Sequence, residues 1–89
     1  MNIIPLRVAL AQINVTVGDL EGNTQKILAY MQKAHAAGSH IVCTPELALT
    51  GYPPEDLLLK PGFVAAQLSK LDELINASSG VHTICEPAA

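Results

Sequence analysis

The chain has 89 residues, 49% hydrophobic and 15% charged, a composition that excludes an intrinsically disordered segment. The net charge is −3, and the five basic residues, Arg7, Lys26, Lys33, Lys60 and Lys70, are scattered, which argues against a nucleic-acid partner. No apolar run is long enough to span a bilayer, so no membrane is expected. Arg7 followed by Val8, Ala9, Leu10 and Ala11 mimics a signal peptide only faintly, because Gln12 and Asn14 interrupt a stretch that is already too short. Two cysteines make no disulfide framework, and with no targeting segment a reducing cytoplasm is the expected compartment. A unit of this length is marginally stable without help.

Along residues 6–17, the run Arg7-Val8-Ala9-Leu10-Ala11-Gln12-Ile13 predicts a buried strand. Gly18-Asp19 breaks it, and Asp19 or Asn23 can cap the helix that follows. Thr24, Ile27, Leu28, Met31, Ala34 and His35 recur at helical spacing and form its apolar face, with Lys26, Gln32 and Lys33 on the wet side. Gly38 ends the helix. His40-Ile41-Val42-Cys43-Thr44 is a second strand, stopped by Pro45. Residues 46–54 form a compact loop, and Pro54-Glu55-Asp56 reads as a first helical turn. A second helix starts at Pro61, with Val64, Leu68, Leu71 and Ile75 as its apolar stripe, and closes at residues 76–80. Val81-His82-Thr83-Ile84-Cys85 is a third short strand. Alternating strands and helices with short connections predict parallel strands and an α/β fold.

Ligands of α/β sheets gather at the carboxyl ends of the strands, and Glu46 stands just past the second strand. It is the only charge between residues 41 and 54. A carboxylate among apolar neighbours is partly desolvated, which favours its neutral form and suits it to work as a base near neutral pH. Thr44-Pro45-Glu46 also reads as a helix start: a threonine cap, proline at the first position, an acid in the first turn. Local spacing leaves both readings open.

The run Val8-Ala9-Leu10-Ala11-Gln12, then Gly18-Asp19, Asn23, Gly38, and Pro45-Glu46 with Gly51-Tyr52 resembles the start of the nitrilase (carbon–nitrogen hydrolase) superfamily. The stretch from Pro45 through Glu46-Leu47-Ala48-Leu49-Thr50-Gly51-Tyr52-Pro53-Pro54 to Glu55-Asp56-Leu57-Leu58 resembles the glutaminase domain of bacterial glutamine-dependent NAD⁺ synthetases. The resemblance covers roughly residues 6–76. It implies the N-terminal portion of an α-β-β-α sandwich, incomplete here, and a Glu-Lys-Cys triad. In such a triad the cysteine thiolate attacks the glutamine amide, the glutamate is base and proton shuttle, and the lysine stabilises the oxyanion. Glu46 matches the family's glutamate, a role consistent with a thiol's need for a nearby base.

The family's lysine lies downstream of the third strand. Lys60 reads as a solvated loop residue and Lys70 as part of the second helix's wet face, so neither matches it. No phosphate loop of the kind that would mark a synthetase domain is present. Cys43, inside an apolar strand, reads as core. Cys85 is either the end of an ordinary third strand or, through Thr83-Ile84-Cys85-Glu86, a remnant of the family's strand-end nucleophile motif, which Pro87-Ala88 would echo. His35, His40 and His82 share no metal-ligand spacing. Glu55 and Asp56 are adjacent on a helix and face different ways. Tyr52 either lines a pocket or anchors the loop by packing, with packing favoured.

The expectation is therefore one partial nitrilase-like domain over residues 1–89, without a synthetase domain. It is a fragment of a glutamine amidohydrolase, inactive alone, whose parent supplies ammonia for NAD⁺ synthesis from deamido-NAD⁺. No cofactor is expected in the chain itself; the parent would use ATP and Mg²⁺, take glutamine as its small-molecule substrate, and form a homo-oligomer. The alternatives are a fragment of a stand-alone amidase of the same superfamily, or a catalytically silent binding or oligomerisation module.

Overall fold

The structure, a computed structural model, describes residues 6–54, 57, 59–78 and 82–85. Strands and helices alternate: β1 (Val8–Leu10), α1 (Leu20–Ala36), β2 (Ile41–Cys43), α2 (Pro61–Ala77) and β3 (His82–Ile84). The sheet order is β1-β2-β3, and both pairings are parallel. The predicted α/β class and element order hold. Among the described residues, no helix is long and apolar enough to cross a membrane.

The register decides which side of the sheet is covered. Ala9 pairs with Val42 and Val42 with Thr83, so these three share one face of the pleat. Val42 is buried there in one cluster with Ile27, Met31, Ala34 and Leu74, which brings both helices to this side. Val8, Leu10, Ile41, Cys43 and Ile84 occupy the opposite face. Val8, Leu10 and Ile84 are more than half exposed. The expected buried first strand is thus corrected: β1 is three residues long and open on one face. Cys43 is likewise half-buried on the open face instead of packed in the core.

Helix α1 follows its sequence signals closely. Asp19 is the cap, accepting a 2.9 Å bond at Oδ1 from the Gly22 amide. Thr24, Ile27, Met31 and Ala34 are buried and Leu28 is half-buried, whereas His35 is exposed. At the other end Gly38 takes φ +78°. Its amide donates to His35 O and that of Ser39 to Ala34 O, the pairing that closes a helix on a left-handed residue.

Helix α2 departs from its predicted stripe. Leu68 and Ile75 are 49% and 60% exposed, while Gln67 and Leu74 are buried and Leu71 half-buried. The helix is turned so that Gln67, Lys70, Leu71 and Leu74 line its inner side. Lys70 bonds to Glu21 of α1 and, at 3.3 Å, to Glu73, so it joins the helices through ion pairs open to solvent.

Candidate active site

Glu46 emerges past the carboxyl end of β2, as the sequence placed it, but its surroundings differ. It is exposed, so the desolvation argued from its apolar neighbours in sequence does not occur. Thr44 is not a helix cap either. Its amide and hydroxyl both donate to Ile84 O, at 3.1 and 3.3 Å, which extends the β2–β3 pairing by one residue. Residues 46–50 form turns, not a regular helix.

The turn has a backbone constraint beside Glu46. Leu47 adopts φ +50°, a left-handed conformation that costs a branched, bulky residue of order 1–3 kcal/mol. Ala48 donates to Pro45 O at 3.2 Å and Gly51 to Leu47 O at 2.9 Å. The turn then descends into the protein, where Ala48, Leu49 and Thr50 have no exposed surface. Gly51, at φ +81°, lies against the backbone of Thr16 and Val17; an added Cβ would stand 2.5 Å from Val17 Cα. The Gly18 amide donates to Thr50 O at 2.7 Å. Two connections, residues 16–18 and 46–51, are thereby stitched edge to edge.

Asn23 sits under this seam with no exposed surface. Its Nδ2 donates to Thr16 O at 2.8 Å and to Leu49 O at 3.0 Å, and its Oδ1 accepts from Thr16 N at 2.9 Å. The sequence offered Asn23 as an alternative cap and as one of the residues carrying the family resemblance. A readable signal was available: Asn23, Ile27, Met31 and Ala34 fall on one helical stripe, which puts an amide on the buried face.

Cys85 follows β3 and lies opposite Thr44 in the continued register. Its side chain borders a cavity of about 190 Å³ with Leu71, Leu74, Ile75, Ser78 and Thr83. Burial there pushes the thiol above its ordinary pKa, and a side-chain hydrogen bond with Thr44 opposes the shift. Glu46 and Cys85 therefore leave the same end of the sheet from neighbouring strands, one into solvent and one against α2.

The remaining candidates are dispersed. Lys60 is exposed at the start of α2, and Lys70 is engaged between the helices. Tyr52 is 62% exposed, so it does not anchor the loop by packing. His40 is exposed and accepts the Arg7 amide at Nδ1, 3.0 Å away; His35 is exposed on α1. Glu55 and Asp56, and with them the expected helical turn, lie outside the described residues, as do Val81, Glu86, Pro87 and Ala88. Among the described residues, no three His, Cys, Asp or Glu side chains gather as metal ligands.

The Carbon-nitrogen hydrolase family model matches residues 7–82, a span that includes Glu46 and stops short of Cys85. The chain is 49% identical over 71 residues to the glutamine-dependent NAD(+) synthetase of Aquifex aeolicus, covering 80% of this chain and 12% of that protein. It is also similar in structure to the glutamine-dependent NAD(+) synthetase of Cytophaga hutchinsonii. The TM-score is 0.82 at 31% identity, over 88% of this chain and 13% of the other. The synthetase of Acinetobacter baumannii, solved with ADP, gives the same TM-score at 30% identity, over 90% of this chain and 15% of the other. The chain thus spans about an eighth of the length of its curated relatives, and its α/β layer is part of a nitrilase-like fold.

Proposed function

Since the chain belongs to the carbon–nitrogen hydrolase family, we propose that it is a segment of a glutaminase domain whose parent feeds ammonia to ATP-dependent NAD⁺ synthesis, with Glu46 as the general base. The observation that carries this reading is the placement of Glu46. It is a solvent-accessible carboxylate at the carboxyl end of a parallel strand, on a turn whose backbone is fixed on both sides. That is where an α/β sheet presents its reactive groups, and a base must be accessible to the thiol proton it removes.

In the proposed reaction a cysteine sulfur attacks the carbon of the glutamine carboxamide. Glu46 takes the thiol proton and returns it to the departing nitrogen, so that ammonia leaves and a thioester remains. Water, activated by the same carboxylate, then cleaves the thioester to glutamate. A lysine ammonium would balance the charge of the tetrahedral oxyanion; donors in that position are worth several kcal/mol. Lys70 is committed to Glu21 and Glu73, and Lys60 is a surface residue. Cys85 is poorly prepared as the nucleophile, since burial against α2 disfavours its thiolate. The lysine and the attacking cysteine are therefore assigned to parts of the parent outside this chain. The ATP and Mg²⁺ of the synthesis step would also be held outside it.

The test is a graft. This chain replaces the matching segment of the Aquifex aeolicus synthetase, and NAD⁺ formation is measured with glutamine and with ammonia as nitrogen donor. Glu46→Gln is expected to lower the glutamine-driven rate by at least about 100-fold, the usual scale for losing a general base, and to spare the ammonia-driven rate. Equal retention of both rates would remove Glu46 from the reaction. The isolated chain is expected to release no ammonia from glutamine.

A second reading has one observation in its favour. The open sheet face bearing Val8, Leu10 and Ile84 suits a chain that acts by packing against another layer. Concentration-dependent size exclusion of the Glu46→Gln chain, unchanged from wild type, would be its signature.

A further inference from the structure

We infer that Asn23 is the positioning residue of the Glu46 turn. Its buried amide locks that turn to the β1–α1 connection and so holds the base in place. The inference rests on the reading of Glu46 as the base, and it names a residue that reading does not require.

Leu47, adjacent to Glu46, holds φ +50°, and such a conformation persists only where the surroundings over-determine it. The turn's own bonds, Ala48 N to Pro45 O and Gly51 N to Leu47 O, close it but tie it to nothing else. Beside the core packing of Ala48 and Leu49, two hydrogen bonds among the described residues join it to the rest of the protein: Gly18 N to Thr50 O, and Asn23 Nδ2 to Leu49 O. The Gly18 contact comes from a connection that is itself exposed at residues 16–18. Asn23 sits on the first turns of α1, and its amide clasps Thr16 at both N and O. One side chain therefore stabilises the connection and transmits that stability to the Glu46 turn. Both amide hydrogens are used, each on a main-chain carbonyl of a different segment. A carboxylate of the same shape would keep the Thr16 N bond and place its second oxygen against two carbonyls. Buried donors and acceptors left unmatched are costly.

Asn23→Asp separates this role from general packing. In the 89-residue chain, amide hydrogen exchange is measured at Gly18, Ala48 and Gly51, with Ile27 and Met31 in α1 as controls. Protection at the three seam amides is expected to fall about tenfold or more, the loss of roughly one well-made hydrogen bond, while the α1 amides keep theirs. In the grafted synthetase, glutamine-driven kcat is expected to fall on the order of 100-fold with the KM for glutamine nearly unchanged, as for a displaced catalytic group. The ammonia-driven rate serves as the control for folding. Unchanged protection at the seam would overturn the inference whatever the activity does. Loss of protection throughout α1, or loss of both rates together, would also overturn it, because Asn23 would then be a general structural residue. A raised KM with kcat intact would do the same. If Glu46→Gln keeps its glutamine-driven rate, the reading of the base fails by itself, and the exchange result still decides whether Asn23 pins the turn.

Discussion

Glu46 and Cys85 leave the sheet at the same end from adjacent strands, yet the protein treats them in opposite ways. Glu46 is exposed, but the backbone under it is held in place: Ala48, Leu49 and Thr50 have no exposed surface and Leu47 is held at positive φ. Cys85 is half-buried, and its thiol is pushed toward the neutral form by the apolar wall of α2. The contrast shows that accessibility and fixity are separate properties. A group prepared for chemistry is open at its tip and rigid at its root; a group that is merely packed has the reverse. On that criterion Glu46 fits the role proposed for it, and Cys85 is a partly buried side chain packed against the core.

The seam beneath Glu46 is the feature whose removal should have the largest effect. Gly51→Ala would introduce a Cβ 2.5 Å from Val17 Cα and 2.7 Å from Val17 N, at a residue with φ +81°. These are backbone atoms and cannot rotate away. Backbone strain and overpacking together predict a loss of ~2–4 kcal/mol, read as a lower urea midpoint by circular dichroism. A loss below ~1 kcal/mol, on the scale of a surface substitution, would mean that the two connections are not in contact.

The other half of the comparison is tested at the thiol. Burial raises the pKa of Cys85, so its thiolate fraction at neutral pH is smaller than that of a free thiol, and the thiolate is the reactive species. In the Cys43→Ser chain, iodoacetamide should alkylate Cys85 more slowly than it alkylates glutathione at about pH 7.5, because less of the buried thiol is ionised. Urea should abolish the difference. A rate equal to or above that of glutathione in the native chain would show an activated cysteine and reopen its candidacy as the nucleophile.

These two strand ends also show what the sequence could convey. The position of Glu46 was legible because strand, proline stop and loop are local signals, and the β-α-β order fixes which end of the sheet it occupies. Its environment was not legible: its sequence neighbours Ala48 and Leu49 turn inward and leave the carboxylate outside. Helix α1 was legible at both ends, since Asp19 and Gly38 act within a few residues of themselves. Helix α2 has neither a side-chain cap nor charges matched to its ends, so only tertiary contacts set its rotation. Of its predicted stripe, Val64 and Leu71 are half-buried but Leu68 and Ile75 lie exposed, whereas Gln67 went in. Asn23 lay hidden for a related reason. An asparagine near a helix start reads as a cap, and only the approach of residues 46–51, distant in sequence, gives its second amide hydrogen an acceptor.

The smallest effect belongs to the Lys70–Glu21 contact between α2 and α1. The Lys70 ammonium beside Glu21 holds that carboxyl below its ordinary range, with help from the Gln25 amide. Glu21 in turn raises Lys70, Glu73 adds to the rise, and partial burial opposes it. The signs define a window. A carboxylate with a depressed folded pKa adds stability above its unfolded pKa and loses it as the pH falls through the folded value. An ammonium with a raised folded pKa adds stability below its unfolded pKa and loses it as the pH rises through the folded value. The pair therefore contributes across the neutral range and fades at both extremes. Glu21 is well exposed, so screening keeps the contribution small. Lys70→Met, which retains an apolar stem, isolates the charge from the packing of the chain's methylenes. The difference in urea midpoint between wild type and Lys70→Met should be flat around neutral pH, shrink in acid and in strong base, and shrink in 1 M NaCl. A difference that persists at both pH extremes and in high salt would mean that Lys70 orients α2 by its stem and not by its charge.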